Sequence, residues 1–132
     1  MCLYLEKEEI IDLNLRTIIQ HGGNRSQAGV VANLGSLDYL VKMVSAKTFG
    51  VSICPNIYAK AAFYAEKIIS DHIFFDGNKR TGLISAMFFL TINGFDSISV
   101  TDTHLVNLGF SIAKGTFEFQ EIEDWFRKYY SF

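Results

Sequence analysis

The chain has 132 residues, of which 49% are hydrophobic and 14% aromatic, so it can bury a sizeable core and is not an intrinsically disordered protein. The formal net charge is -2 and the isoelectric point is about 5.9. The sequence therefore lacks the excess of positive charge that would indicate direct nucleic-acid binding.

The cysteines and the apolar runs indicate the compartment. Cys2 and Cys54 show neither metal-ligand spacing nor the pattern of a secreted disulfide scaffold, which favours two reduced thiols. The longest apolar run is shorter than the ~20 residues that a membrane span needs, and no signal segment leads the chain. We expect a cytoplasmic protein that forms one domain over residues 1–132 and has no membrane partner.

The first predicted element is an amphipathic helix over residues 6–20. Its apolar residues recur at helical spacing and form one predicted face: Ile11, Leu15, Ile18 and Ile19. Gly22 and Gly23 are expected to end this helix, because glycine readily adopts the backbone conformation of a helix C-terminus. The polar, glycine-containing stretch 24–35 predicts a loop.

The second predicted helix covers residues 37–48, with Ser36 as its N-cap. Its apolar residues share one face: Leu37, Leu40, Val41 and Val44. A weak alternation of apolar residues follows and predicts a short extended segment or hairpin: Phe49, Val51 and Ile53.

The third predicted helix begins near Pro55, which suits a first turn, and runs to about Ser70. A central helix comes after it, and residues 83–90 are so apolar that we expect burial on most sides. Asn93 and Gly94 end this helix. The buried stripe of the third helix is predicted to be Ile57, Ala61, Tyr64, Ala65 and Ile68.

The last third of the chain predicts an extended segment and two more helices. Residues 97–101 are expected to be extended, and Asp102 to cap a fifth helix. The sixth helix has one apolar and aromatic face, formed by Ile122, Trp125, Phe126 and Tyr129. About six helices with one short hairpin make this an all-α, mainly helical fold.

The loop between the third and central helices carries the chemistry. Residues 72–82 read His-Ile-Phe-Phe-Asp-Gly-Asn-Lys-Arg-Thr-Gly. The loop leads into the N-terminus of the central helix, where unpaired backbone N–H groups and the positive end of the dipole bind anions. Lys79 and Arg80 are cations at the helix end that disfavours them, which makes sense if an anion binds between them. A phosphate site is the resulting prediction.

The residue types suggest roles in phosphoryl or nucleotidyl transfer, which depends mainly on positioning and charge stabilisation. His72 can take the proton from an attacking hydroxyl, and Asp76 is a hard oxygen ligand suited to Mg²⁺. Phe74 is expected to point into the core and anchor the loop. The predicted ligands of the nucleotide phosphates are Gly77, Asn78, Lys79 and Arg80.

For two of these predicted ligands, Gly77 and Asn78, the residue type itself suits the position. Gly77 would let the backbone approach a phosphate closely. Asn78 would offer amide donors while it caps the central helix.

Residues 72–80 resemble the signature of the Fic/Doc superfamily, His-x-Phe-x-Asp/Glu-Gly/Ala-Asn-Gly/Lys-Arg. Asn-Lys-Arg-Thr at 78–81 is similar to the Doc (death-on-curing) branch, the toxins of toxin–antitoxin pairs. The resemblance implies a compact helical domain with a target-docking flap near residues 49–55. It also implies His72 as base, Asp76 on the metal and residues 77–80 on the nucleotide phosphates.

By the same resemblance, the residue at position 79 indicates which group is transferred, and here it is Lys79. Fic enzymes that transfer AMP have a glycine there, whereas the Doc lysine goes with a reversed nucleotide that presents its γ-phosphate. Leu83 stands where Fic enzymes often carry a further arginine, which also favours Doc. The implied activity is that of an ATP- and Mg²⁺-dependent protein kinase which phosphorylates elongation factor Tu and inhibits translation.

Two alternatives remain at the sequence level. Gly77 occupies the position at which the best-known Doc motif has alanine, so Fic-type AMP transfer to a protein hydroxyl (AMPylation) stays open. A nucleotide-binding module without turnover is the other, although a binding role does not need the base His72.

The sequence also bears on control of the reaction. Many Fic enzymes are silenced by a helix with the pattern Ser/Thr-x-x-x-Glu-Gly/Asn, but no glutamate in this chain is followed by Gly or Asn. The resemblance therefore implies restraint in trans by a Phd-like antitoxin.

Overall fold

The computed structural model describes residues 2–48 and 50–132, which form six α-helices and two small antiparallel strand pairs. The mainly α-helical class with about six helices is confirmed. No helix in these ranges is both long and apolar enough to cross a membrane. The helices are α1 (Lys7–His21), α2 (Leu34–Met43), α3 (Ile57–Ser70), α4 (Asn78–Ile92), α5 (Asp102–Lys114) and α6 (Phe119–Tyr129). The strands are β1 (Lys47–Thr48), β2 (Val51–Ser52), β3 (Asp96–Ser97) and β4 (Tyr130–Ser131).

Helices α3 and α4 form the centre of the molecule. Eight residues of α3 are buried, which exceeds the single stripe predicted from spacing. Gly82 on α4 is pressed against α3, since a Cβ there would lie 2.7 Å from Ile69 Cγ1 and 3.0 Å from the Ala65 carbonyl oxygen. This close packing fixes the N-terminus of α4, and with it the loop that joins the two helices.

One strand pair is a local hairpin, and the other joins distant parts of the chain. Strands β1 and β2 form an antiparallel hairpin just before α3, so the predicted hairpin is confirmed. Phe49, one of the residues from which it was predicted, lies outside the described residues. Strand β3 pairs with β4, which brings the last residues of the chain to the C-terminal end of α4.

The predicted apolar face of α1 was wrong. Ile18 is buried, but Ile19 is 50% exposed and Leu15 is 38% exposed. The buried face is Ile10, Asn14, Thr17 and Ile18. Because two of these residues are polar, hydrophobic spacing could not identify it.

The predicted ends of α2 were also wrong. The helix begins at Leu34, and Asn33 caps it by accepting a hydrogen bond from the Ser36 N–H at 3.2 Å. It ends at Met43, and Thr48 belongs to β1. The predicted loop over 24–35 contains a short 3₁₀ helix, Arg25–Gln27, as well as the start of α2.

Other boundaries are shifted by one or two residues. Helix α3 begins at Ile57 after the N-cap Asn56, so Pro55 precedes the first turn in which it was predicted to lie. Helix α5 is capped by Thr101 and not Asp102. Gly77 is the N-cap of α4, so Asn78 is its first residue and not its cap. Of the segment 97–101 predicted to be extended, Ser97 lies in a strand. The ends of α1 at Gly22 and of α4 at Asn93 agree with the predictions.

Candidate active site

The loop begins where α3 ends, and His72 occupies a strained position there. The Ile73 N–H donates to the Ile68 carbonyl at 3.4 Å, which closes the last turn around His72. His72 has φ +48, the left-handed conformation that glycine usually supplies after a helix. A residue with a Cβ pays about 1–2 kcal/mol for it. The side chain is exposed, so burial does not offset the strain, and strain of this kind is typical of functional positions.

Phe74 and Asn78 make the middle of the loop rigid. Phe74 is 1% exposed, which confirms that it anchors the loop in the core. Its N–H donates to Asn78 Oδ1 at 2.9 Å, and Asn78 Nδ2 donates to its carbonyl at 2.7 Å. Asn78 therefore holds the loop through its side-chain amide, while its backbone N–H and the second proton of Nδ2 are the donors that it could offer to a phosphate.

A second segment supports the loop from outside. Val31 pairs with Phe74 in an antiparallel bridge, and the Ala32 N–H donates to the Ile73 carbonyl at 2.7 Å. The Phe75 N–H donates to the Val30 carbonyl at 3.3 Å. The backbone of the loop is thus held by a short strand-like pairing with the segment before α2.

Asp76 is oriented by two backbone donors. Its Oδ1 accepts from the Gly77 N–H at 2.8 Å, and its Oδ2 accepts from the Asn24 N–H at 2.7 Å. Gly23 passes so close that a Cβ there would lie 2.9 Å from Oδ2. Each carboxylate oxygen has a further lone pair available for another partner.

The Asp76 carboxylate suits its predicted role as a magnesium ligand. In the described ranges, no cluster of three or more His, Cys, Asp or Glu side chains could hold a metal ion by itself. Mg²⁺ is commonly bound through one or two carboxylates, with waters and substrate phosphates as its other ligands. Asp76, held rigidly beside a helix N-terminus, suits that arrangement.

The N-terminus of α4 offers three backbone donors. The N–H groups of Asn78, Lys79 and Arg80 belong to the first turn, and within the part of the chain that the structure describes none has a hydrogen-bond acceptor. Gly77 precedes them with φ +76, a conformation that favours glycine. This geometry makes the turn a site for an anion such as phosphate.

The two cations beside this turn each have a neutral partner. Lys79 Nζ lies 5.5 Å from the centroid of the Phe110 ring, and Arg80 Nη1 donates to the His21 carbonyl at 2.9 Å, at the C-terminus of α1. These contacts already explain how cations are tolerated at the start of α4, so their position alone does not require an anion. Neither cation is paired with a carboxylate among the described ion pairs, which leaves both charges available to a ligand.

A cavity of about 380 Å³ opens at this turn, the size of a small-molecule site. It is polar where Asp76 and the start of α4 line it, and apolar where α5 forms the opposite wall. The exposed His72 is not part of the lining, so the structure gathers the predicted metal and phosphate ligands and leaves the predicted base outside them. The lining residues are Thr17, Gly22, Asp76, Gly77, Asn78, Lys79, Arg80, Leu105, Val106, Gly109 and Phe110.

Sequence reasoning missed the α5 wall and the contribution of α1. The residues of α5 have the spacing of an ordinary core stripe, so nothing in their pattern indicated a cavity. Asn14 on α1 is fully buried and contacts the loop, and its only signal was a polar residue among apolar neighbours.

The cysteines have no part in this site. Cys54 is 1% exposed, and burial raises the pKa of its thiol to about 11, so it stays protonated at neutral pH. Cys2 and Cys54 are both free thiols, as expected.

The loop and the four helices α1 to α4 match the sequence model of a known protein family. Residues 4–90 match the model described as the Fic/DOC family. The chain belongs to the Fic/DOC family. The match includes the whole loop but ends before α5, which supplies one wall of the cavity.

Two relatives place the chain on the Doc branch of the family. It is 34% identical to "Toxin Doc" of Mycolicibacterium smegmatis over 71% of this chain and 67% of that protein. It is 29% identical to "Protein kinase doc" of Escherichia phage P1 over 96% of this chain and 95% of that protein. The second match includes the α5 wall of the cavity.

Proposed function

We propose that this chain is a Doc-like toxin that transfers the γ-phosphate of ATP to a hydroxyl group of a protein target. The observation that carries the proposal is the convergence of a carboxylate, three first-turn N–H groups and two cations on one cavity. Lys79, which favours the kinase reaction by resemblance, lines that cavity. The relatives named "Toxin Doc" and "Protein kinase doc" support the same reaction class.

Each of these residues would have a separate role in the transfer reaction. Phosphate oxygens accept from the first-turn N–H groups of α4, and Lys79 and Arg80 neutralise their charge. The target hydroxyl oxygen forms a bond to the γ-phosphorus while the bond to the β–γ bridging oxygen breaks, and ADP leaves with that electron pair. His72 accepts the proton of the hydroxyl as the general base.

Asp76 would hold the magnesium ion of MgATP. Bound Mg²⁺ would neutralise negative charge on the phosphate oxygens. What the chain itself contributes is the direction of the carboxylate, which the N–H groups of Gly77 and Asn24 fix before any ligand arrives.

AMP transfer is the second candidate, and its sequence support was Gly77. The backbone offers another reason for that glycine. Gly77 has φ +76, and a Cβ would lie 3.2 Å from Ile18 Cγ1 and 3.3 Å from Asn14 Nδ2. These local demands account for the glycine without a change of reaction, which strengthens phosphate transfer as the first choice.

The target and the partner follow from the family resemblance. By that resemblance the substrate is elongation factor Tu, and its phosphorylation would stop translation. The hairpin β1–β2, with Val51 68% exposed, is the element that could dock an extended target segment through its strand edge. A Phd-like antitoxin would restrain the enzyme in trans.

Labelled ATP tests the proposal. The purified chain is incubated with Mg²⁺, purified elongation factor Tu and ATP labelled at either the γ- or the α-phosphate, and a cell lysate replaces the factor in a parallel reaction. We expect protein labelling from γ-labelled ATP alone. Labelling from α-labelled ATP would establish AMP transfer instead. Binding of ATP with no protein labelled in either reaction would indicate the non-catalytic module.

A further inference from the structure

Asn14 is a buried amide that joins three segments of the site. It is fully buried on α1. Its Nδ2 donates to the Asp76 carbonyl at 2.9 Å and to Thr81 Oγ1 at 3.0 Å, and its Oδ1 accepts from the Gly29 N–H at 2.8 Å. One side chain thus connects α1, the predicted metal ligand, the first turn of α4 and the segment that precedes α2.

The bond to the Asp76 carbonyl acts on the carboxylate through the backbone. The carbonyl of Asp76 and the N–H of Gly77 belong to the same planar peptide, so holding one fixes the direction of the other. That N–H donates to Asp76 Oδ1 at 2.8 Å. Asn14 therefore sets the plane of the peptide that aims the carboxylate.

The bond to Gly29 supports the loop from its other side. Gly29 directly precedes Val30 and Val31, the residues that pair with Phe75 and Phe74. The N–H of Gly29 is held by Asn14 Oδ1, so the same amide fixes both partners of this pairing relative to α1. Its three hydrogen bonds all end on segments that shape the loop.

We propose that Asn14 is a positioning residue for the transfer reaction, acting through the Asp76–Gly77 peptide and Thr81 on the carboxylate and the first turn of α4. Groups that orient a metal ligand from behind typically change activity by about 10–100-fold when they are removed. The kinetic consequence rests on the proposed function, whereas the effect on the loop geometry does not.

The chain contains a matched control in Asn93. This residue also makes three side-chain hydrogen bonds, two with the backbone of Leu3 and one to the Phe89 carbonyl. It lies at the C-terminal end of α4, whereas Asn14 contacts the N-terminal end. Loss of Asn93 therefore removes a similar set of bonds without touching the loop.

The experiment compares Asn14→Leu and Asn93→Leu, which delete the amide, keep the number of side-chain heavy atoms and add the same volume at both sites. We expect both variants to be less stable than the parent. At saturating MgATP, kcat should fall roughly 10–100-fold in Asn14→Leu and stay within about twofold of the parent in Asn93→Leu. Hydrogen exchange of the Gly77 and Asn24 amides, measured by NMR, should be faster in Asn14→Leu alone. An equal loss of kcat in the two variants would overturn the proposal.

A second variant covers the case in which Asn14→Leu does not fold. Asn14→Ala removes both the donor to the Asp76 carbonyl and the acceptor for the Gly29 N–H without adding volume, so its kcat should also fall. Parent-like turnover by Asn14→Ala would refute the positioning role. If neither variant folds, the wild-type protein decides: its Asn14 side-chain amide protons should exchange more slowly than those of exposed Asn107, and equal rates overturn the proposal.

The exchange measurement also separates this proposal from the proposed function. If the parent protein transferred no phosphate, the proposed function would fail while the amide data still tested the geometry. Unchanged exchange at Gly77 and Asn24 in Asn14→Leu would then overturn the role of Asn14 alone.

Discussion

His72 combines a strained backbone with an exposed side chain, and the two properties predict opposite effects of substitution. If the His72 side chain stabilised the fold, its replacement would lower the free energy of unfolding. At φ +48, however, glycine fits better than histidine. Stability and activity should therefore separate at this position.

We predict that His72→Ala and His72→Gly both lose transfer by a factor of ~10²–10⁴, because the general base is gone. His72→Gly should also raise the free energy of unfolding by about 1 kcal/mol, since it relieves the left-handed strain. Labelled-ATP assays and urea denaturation measure the two effects. Near-normal turnover by either correctly folded variant would remove His72 from the mechanism.

Lys79 offers a test of which phosphate reacts. Its ammonium group lies over Phe110 at the edge of the cavity, where it can meet a terminal phosphate. Lys79→Gly should weaken γ-phosphate transfer and open room for AMP transfer. Lys114 provides the control, because its Nζ lies over the same ring at 5.7 Å while the residue does not line the cavity. γ-Phosphate transfer should survive in Lys114→Ala, and an equally fast Lys79→Gly would contradict the role of Lys79.

The sequence singled out the loop residues that line the cavity but not the residues that support them. A phosphate site would restrict residue types within a few positions, so Asp76 through Arg80 could be selected together. Asn14 bonds to residues more than sixty positions away, and nothing local to it indicates those partners. His72 was recognised as a candidate base, but neither its left-handed backbone nor its place outside the cavity lining could be read from the sequence.

At the scale of elements, the sequence located most helices and misplaced the ends that tertiary contacts decide. Both Asn33 and Ser36 can cap α2, but the N–H groups of Ala32 and Asn33 donate to the Ile73 carbonyl, which fixes the start of the helix at Leu34. At its other end, β1 pairs with β2 and takes residues 47 and 48 out of the predicted helix. These causes lie elsewhere in the chain, beyond the reach of local propensity.

The contact between α3 and α4 predicts the effect of a methyl group. Gly82→Ala would place a Cβ 2.7 Å from Ile69 Cγ1 and 3.0 Å from a backbone oxygen, so the helices must move apart. We expect the free energy of unfolding to fall by about 1–3 kcal/mol despite the better helix propensity of alanine.

Gly35→Ala is the matched control for Gly82→Ala. Gly35 also lies in a helix, but the nearest atom to its Cβ position is Asn33 Oδ1 at 3.8 Å. It should be neutral or stabilising by up to about 1 kcal/mol. Urea denaturation of both variants measures the difference, and equal stability would show that α3 and α4 are not tightly packed at Gly82.

For the whole molecule, the acidic overall charge and the local cations act at different ranges. A net charge of -2 gives no general attraction to nucleic acid, whereas Lys79 and Arg80 line the cavity and would act on a ligand inside it. The charge that matters for a nucleotide is thus concentrated at one helix end.

Control of the reaction is also a property of the whole chain. No glutamate of the sequence has the context of the inhibitory Fic helix, and the cavity lining in the described residues includes no glutamate. No internal glutamate that could pair with Arg80 and block the phosphate site is therefore evident in this part of the chain. An enzyme of this kind would react whenever ATP is present, so we propose that a separate antitoxin restrains it.

We predict that expression of this chain alone arrests growth of the host cell, and that His72→Ala relieves the arrest at equal protein level. The arrest should require phosphate transfer, so Gly35→Ala, which leaves the site intact, should remain toxic. Growth curves after induction, together with immunoblots for protein amount, measure the effect. Harmless expression of soluble, catalytically active protein in cells that lack a partner would contradict control in trans, because an unrestrained kinase with abundant ATP would then be tolerated.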